Sequence, residues 1–569
     1  MNKTNKVTLT AGGALLTRLK SLGVEHIFVN SGTDFPPIIE GLAEADGSGD
    51  DLPNTVIAPH ENVAMGMAHG YYFISNKAQV VAAHTNVGLA NCTIGAINAS
   101  TEQVPVLLMS GRTPVMEEGR FGCRTVPIGW GQEMRDQAAL VREACKWDYE
   151  LKYPEQIIDV VDRALAIANS EPKGPVYLSL PREVLCEPCP TARLAEKSRI
   201  VPARSSAPRA AIDSAAQLIA QAKNPIIIAQ RGPSDEQAFQ NMEALVEHWA
   251  IPVLQYWMIS PTISCDHPMY AGEELQGWIE EADVVVVFDC LAPWNPTLHK
   301  PMASAEFIHI GQDPLYSKFP VRNFPASLCL PGDSSDTVNE LSNALLPLHD
   351  NHKAKIEARR SKVIARNAER AATVKRGCAV EPSALSTKAW VSQCLGELLW
   401  GTKHTVLGEL GCIAEIVRPH GHKSWCQEPH SGGLGFSFPA ALGVKLAAPD
   451  RLVVATMGDG SYMFANPVAC HLVAEANHLP LLLIILNNAR WGAVEKSVTG
   501  LYPNGCAARS EIVPLVDLSP SPSFTKVAEA SRAWARQVTR ADQVSETLKE
   551  AIEVVNGGTF ALVEILISD

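Results

Sequence analysis

Nowhere in this chain do about 18 apolar residues follow one another, the least that crosses a bilayer as a helix, so no membrane partner is expected. The opening residues, MNKTNKVTLTAGG, lack the apolar stretch of a secretory leader, which makes a cytoplasmic location the default expectation. Basic charge is also short: 48 Lys and Arg stand against 61 Asp and Glu, a formal net charge of −13. That balance argues against a nucleic-acid partner. It leaves room for an anionic ligand, because backbone dipoles and a bound cation can hold phosphate locally. Low-complexity tracts and short repeats are missing. No GxGxxG follows a strand, and neither AQRGPSDEQ nor FDCLAPWNP is a phosphate loop. Cys-x-x-Cys occurs once, at Cys186 and Cys189 in LCEPCP, without a second pair at zinc spacing, so linker cysteines are expected there. The fourteen cysteines are scattered and should be mostly buried thiols.

A chain of 569 residues exceeds one core. With 46% apolar and 19% charged residues it has the composition of a soluble globular protein. Short apolar strands alternate with helix-length segments, which predicts α/β domains built on doubly wound parallel sheets. Three are expected, over 1–188, 189–350 and 381–569, with 351–380 connecting the last two. In the first block the strands are HIFV at 26–29, QVVAAHT at 79–85, VPVLLMS at 104–110 and PVYLSL at 175–180. The second has NPIIIAQ, IPVLQ, ADVVVVFD and EFIHIG, and the third HTVLGELG, RLVVATMGDG, LPLLLIILNN and FALVEILIS. The charged run HKAKIEARRSKVIARNAERAATVKRG between them reads as a solvated connecting helix.

Residues 458–488 carry the most chemistry. Gly458-Asp459-Gly460 opens a helix-like run that begins with Ser461, and an apolar strand over 479–486 ends in Asn487-Asn488. A glycine turn lets backbone N–H groups approach phosphate. Asp and Asn are hard oxygen ligands suited to Mg²⁺, which binds through few protein groups plus phosphate. Two amides at the end of an apolar strand have no evident core role. Elsewhere, IAPHENVAMGMAHGY puts Glu61 at the start of a helix otherwise made of Ala, Gly and Met. Small residues permit close packing, so Glu61 is expected in a tight apolar place that disfavours its ionised form and raises its pKa. A plain first-turn Glu complementing the helix dipole is the alternative. His84 stands at a strand end before a glycine loop, where parallel sheets form sites, able to relay a proton or simply to hold a loop. Thr33, in NSGTDF, follows another strand and is open to either a pocket role or turn chemistry.

The 26 residues between Gly460 and Asn487 resemble the diphosphate-binding motif of thiamine diphosphate enzymes, and the likeness spans nearly the whole chain. HEN at 60–62 resembles the Glu motif of thiamine diphosphate enzymes, and the His84 loop and HSGGLGFSFPAALGVKLA at 430–447 are similar to benzoylformate decarboxylase; the domain order is that of acetolactate synthase and decarboxylase relatives. The resemblance implies thiamine diphosphate bound by Gly458, Asp459, Gly460, Ser461 and Asn488, with Mg²⁺ on Asp459, Asn488 and the carbonyl of Arg490. It implies that Gly432 and Gly433 bring carbonyls to the aminopyrimidine while Leu434 wedges the cofactor into a bent form. Glu61 is implied to share a proton with pyrimidine N1′, so that the cofactor's amino nitrogen, as an imine, removes the thiazolium C2 proton. His84 becomes an acid–base residue, Thr33 a ligand for the substrate carboxylate, and Gln132, Trp491 and Val494 pocket residues. A second His from the middle domain is implied, but His299 is a few places off, with Asn295 as an alternative. FAD is not expected in the middle domain.

The implied activity is that of a 2-oxo acid decarboxylase or C–C lyase, with possible acyloin-forming carboligation. An acetolactate synthase-like carboligase is the alternative, and an inactive cofactor-binding or regulatory homologue is an alternative of another class. The chain ends in ILISD, without a tail to serve as a lid, which is expected to weigh against an acyl-CoA lyase. A homodimer or homotetramer is implied, with Glu61 and Asp459 acting on one cofactor from different chains.

Overall fold

The computed structural model describes residues 8–49 and 51–568. The first seven residues, which bear on the reading of a leader, lie outside them. Three parallel α/β sheets follow one another along the chain. The first has the spatial order Asn54–Ile57, His26–Asn30, Gln79–Ala83, Val106–Arg112, Val176–Pro181, Asp148–Glu150. The third has Trp425–Gln427, His404–Glu409, Leu452–Gly458, Leu482–Asn487, Ala561–Leu566, Trp534–Val538. Numbered within each sheet, both read 2-1-3-4-6-5, so the two share one winding plan. The middle sheet, Val253–Leu254, Pro225–Ala229, Val284–Phe288, Glu306–Gly311, Leu328–Pro331, reads 2-1-3-4-5. Every pair within these sheets is parallel, and the central strands Gln79–Ala83, Val284–Phe288 and Leu482–Asn487 are buried throughout. Continuous apolar runs are what a sheet covered on both faces requires.

In each sheet the winding reverses between the first and third strands, opening a crevice at their carboxyl ends. The residues following those strands in the first sheet include Thr33 and His84; in the third they are Leu410 and Asp459. In the middle sheet the same place is taken by Arg231; its guanidinium lies 3.6 Å from Asp289 and donates to the Tyr316 hydroxyl at 2.5 Å.

The chain clusters into two compact units. One comprises residues up to 203 with 429–449 and 465–479; the other comprises 204–428, 450–464 and 480 onward. Within the first unit, helix Glu61–Ser75 packs on helix Ser437–Ala447 at backbone contact. A Cβ on Gly70 would sit 1.9 Å from the Ala440 carbonyl oxygen, and one on Gly443 2.0 Å from that of Met67. The small residues that flank Glu61 in sequence are thus a helix–helix seam.

Two expectations are corrected. LCEPCP is not a linker: Pro188–Pro190 pairs antiparallel with Thr8–Thr10, and Cys189 is buried opposite Leu9 as a free thiol. Helix Lys353–Gly377 is not merely solvated. Its Ile356 and Val363 join the middle-domain core, and the buried Arg359 donates to the carbonyls of Ala250 and Trp249, fixing the helix to that domain.

The seam yields a direct test. Gly70→Ala is expected to destabilise by about 1–3 kcal/mol through overpacking. Gly47→Ala, whose Cβ meets nothing within 4 Å in helix Pro36–Ser48, should gain up to about 1 kcal/mol. Thermal unfolding of the two variants separates these outcomes; equal midpoints would remove the seam.

Candidate active site

Glu61 opens its helix because His60, in extended backbone, caps it: the His60 Nδ1 accepts the Asn62 N–H at 3.2 Å. The carboxylate is 4% exposed. It does not lie in an apolar place, as expected above. Asn30 Nδ2 donates to Oε1 and Asn91 Nδ2 to Oε2, each at 2.9 Å. A carboxylate has about four lone-pair sites, so each oxygen keeps capacity for another donor. Gly88 leaves the necessary room, since a Cβ there would stand 2.7 Å from Oε1.

Thr33, His84 and Gln132 line one cleft of the same unit, together with Asp34, Arg124 and Arg182. His84 ends its strand one residue beyond Ala83 and precedes helix Thr85–Thr101. Its Nδ1 pairs with Asp34 Oδ1, and its Nε2 faces Gln132 Nε2 at 3.1 Å. The hydrogen bond to Asp34 raises the imidazole pKa, and burial opposes it. Helix Pro36–Ser48 begins without a side-chain cap at Phe35, so the Ser-Gly-Thr-Asp stretch serves as a turn, Phe35 N–H to Gly32 carbonyl at 3.0 Å, and not as a cap.

The Gly432–Leu434 stretch also lies in this unit. Gly432 has φ +70 and Leu434 is half-buried. The Gly433 carbonyl accepts Asn98 Nδ2 at 3.0 Å, and a Cβ on Gly433 would lie 2.3 Å from Asn98 Oδ1. One lone pair of that carbonyl is therefore already committed within the chain.

In the other unit, Gly458 ends a strand and Asp459-Gly460-Ser461 begin helix Asp459–Phe464, so the motif is a strand-to-helix junction and not a free turn. Gly460 is required for close approach: a Cβ would meet the Trp491 ring at 2.3 Å. Asp459 Oδ1 accepts the Gly460 N–H at 2.9 Å. Its Oδ2 and the Ser461 hydroxyl are buried with no partner. Orphaned buried oxygens are costly, and here they fit a cation and a diphosphate. Burial raises the Asp459 pKa. Nearby, burial and the neighbouring Glu409 push the Glu428 carboxyl up to about 8.

The two asparagines differ. Asn487 does have a core role: buried, it donates to Glu564 Oε1 at 2.8 Å on the adjoining strand and accepts from Ser521. Asn488 is half-buried, and its Oδ1 accepts the Arg490 N–H at 3.1 Å. Ala489 between them has φ +54, a conformation that a non-glycine residue adopts at a cost. Arg490 and Val494 are exposed. His299 is buried in this unit, its Nδ1 accepting the Asn295 N–H. Sequence reasoning missed Asp34, Asn30 and Asn91. The strand-terminal position of Asn30 and the place of Asp34 beside Thr33 were the available signals.

Each unit thus carries a crevice of like winding: one has a paired histidine and a buried glutamate, the other an aspartate with one orphaned oxygen beside a strand-end asparagine. Residues 9–140, 212–341 and 408–565 match the domains described as thiamine pyrophosphate enzyme N-terminal TPP binding domain, central domain and C-terminal TPP binding domain. The chain belongs to the thiamine pyrophosphate enzyme family and is a thiamine diphosphate-dependent enzyme. It is 28% identical to "Probable 2-ketoarginine decarboxylase AruI" of Pseudomonas aeruginosa, over 95% of this chain and 92% of that one. It is 25% identical to "Probable acetolactate synthase large subunit" of Methanocaldococcus jannaschii, over 95% and 89%. Its fold is similar to that of the thiamine diphosphate-dependent 4-hydroxybenzoylformate decarboxylase of Rhodococcus jostii RHA1, with a TM-score of 0.78, 20% identity and coverage of 98% and 99%.

The orphaned carboxylate sets up a two-sided prediction. Burial raises the folded-state pKa of Asp459, so the cofactor-free protein loses stability as pH rises above the ordinary carboxylate range. Asp459→Asn should therefore unfold at a higher temperature than wild type at pH 7 without cofactor. It should also lose the added stability that thiamine diphosphate with Mg²⁺ confers on wild type. A retained cofactor-dependent gain would remove Asp459 from the site.

Proposed function

We propose that this enzyme is a thiamine diphosphate- and Mg²⁺-dependent 2-oxo acid decarboxylase or C–C lyase, with carboligation as a side activity. The observation that carries this reading is the cleft holding His84, Thr33 and Gln132 in the unit that buries Glu61. When bound, thiamine diphosphate supplies the electron sink that lets a bond to the carbonyl carbon break. Gly458, Gly460 and Ser461 bind its diphosphate, and Asp459, Asn488 and the Arg490 carbonyl hold Mg²⁺. Gly432, Gly433 and Leu434 shape the aminopyrimidine side. Glu61, steadied by Asn30 and Asn91, holds the proton at pyrimidine N1′. Thr33 binds the substrate carboxylate, with Arg124 and Arg182 on the same wall, and His84 moves a proton at the substrate oxygen. Trp491 and Val494 complete the pocket.

An acetolactate synthase-like carboligase is the second reading, favoured by the likeness to the Methanocaldococcus jannaschii protein. The middle-sheet crevice, filled by Arg231 and Asp289, favours a domain without FAD. A homodimer or homotetramer in the cytoplasm, with small 2-oxo acids or aldehydes as its partners, completes the proposal. Among the described residues no helix is long and apolar enough to cross a membrane.

Incubating the protein with thiamine diphosphate, Mg²⁺ and a panel of 2-oxo acids, and following CO₂ and aldehyde against acyloin, tests the reading. Aldehyde is expected as the main product; acyloin alone would favour the carboligase. In Glu61→Gln one new amide N–H faces an asparagine donor and the shared proton is lost, so turnover should fall by about 10²-fold or more. Wild-type turnover would remove Glu61 from its role.

A further inference from the structure

Asp34 is assigned no role by the family motifs above, yet the fold makes special room for it. It is 6% exposed, and its Oδ1 pairs with His84 Nδ1 while its Oδ2 is buried with no partner. A Cβ at Gly111 would lie 1.3 Å from that Oδ2, and one at Gly32 would lie 2.2 Å from both Cγ and Nδ1 of His84. Two glycines are thus needed for the two side chains to meet. Thr85, directly after His84, is buried with φ +39. That conformation is a genuine outlier for a β-branched residue and is held only where surrounding structure over-determines it.

We propose that Asp34 is a positioning residue that fixes the tautomer of His84, keeping the proton on Nδ1 and presenting Nε2 to the cleft. An ionised carboxylate only accepts, so Nδ1 must donate. Nε2 then carries the lone pair, which accepts the Gln132 amide at 3.1 Å until a substrate oxygen takes its place. After Nε2 gains a proton, the adjacent carboxylate stabilises the imidazolium. The charged groups facing His84 are Asp34 and, farther off, Glu61, both of which raise its pKa; Arg124 and Arg182 stand on the cleft wall. The inference rests on the acid–base role given to His84 above.

The test uses the full-length cofactor-free protein with isotope-labelled histidine, the His84 ring signals being identified by their loss in His84→Gln. In wild type, ring nitrogen shifts should report a proton on Nδ1 at alkaline pH. In Asp34→Asn the ring should titrate at lower pH than in wild type and populate the Nε2–H tautomer. An unchanged titration and tautomer would overturn the proposal. If Asp34→Asn does not fold, the wild-type spectrum decides alone: an Nε2–H ring refutes the proposal, and an Nδ1–H ring supports it. With cofactor, Mg²⁺ and whichever oxo acid turns over, Asp34→Asn should lower kcat by about 10²-fold. KM should be little changed, and the limb of the pH profile assigned to His84 should move with the NMR titration. Wild-type turnover in His84→Gln would instead sink the role of His84 while leaving the Asp34 result readable in the spectra.

Discussion

The contact between helices Glu61–Ser75 and Ser437–Ala447 constrains much of what surrounds it. At Gly70 and Gly443 the two backbones touch with no space for even a methyl group, so neither helix can slide or rotate without breaking that contact. Glu61 begins one of these helices, and HSGGLG leads directly into the other. Two segments more than 350 residues apart in sequence are thereby held in register. The precise placing of the Glu61 carboxylate comes here from glycine, the residue with least to contribute chemically, because its absence of side chain allows rigid elements to interlock.

The repeated winding of the first and third sheets gives each a crevice where two neighbouring strands are left by chains turning opposite ways. The two crevices are furnished differently. One holds an imidazole, two carboxylates and amides that can exchange or steady protons. The other holds a carboxylate with one oxygen, and a hydroxyl, that have no partners among the described residues. A buried oxygen left unsatisfied is tolerated when a ligand completes it; the second crevice leaves Asp459 Oδ2 and the Ser461 hydroxyl in that state, while in the first Glu61 and His84 have partners and Asp34 Oδ2 alone has none. In the middle sheet the equivalent place is already filled by an arginine–aspartate pair.

Much of this was legible in the sequence. Apolar runs located the central strands, and the GDG and NN signals located the strand ends near Asp459 and Asn488. What remained hidden depends on pairing at long range. Nothing local distinguishes Asn487, which braces Glu564, from Asn488 beside it. Asp34 reads as ordinary turn chemistry until Gly111, on another strand, is seen to make room for it. Glu61 looked apolar in setting because the sequence shows its helix and not Asn30 or Asn91, which arrive from a strand end and a second helix. Cys189 looked like part of a linker because pairing with Leu9 crosses about 180 residues. The charged run after residue 351 hid its attachment because one buried arginine among many exposed ones leaves no periodic trace.

That attachment bears on how the chain would yield to a protease. Cleavage needs a short stretch of backbone to be drawn out straight into the enzyme, and a helix bolted down by Arg359, and tied again where Arg370 meets Glu415, resists being drawn out. The residues around Ile200–Ser206, exposed and outside any helix or strand, are tied more lightly, with Ala203 bonded to Ser170 and Glu171. Although the run before residue 380 is richer in lysine and arginine, trypsin should nick the chain first near Arg199 and Arg204, leaving the two pieces held together at the Gly70–Gly443 seam, before it severs the long basic helix.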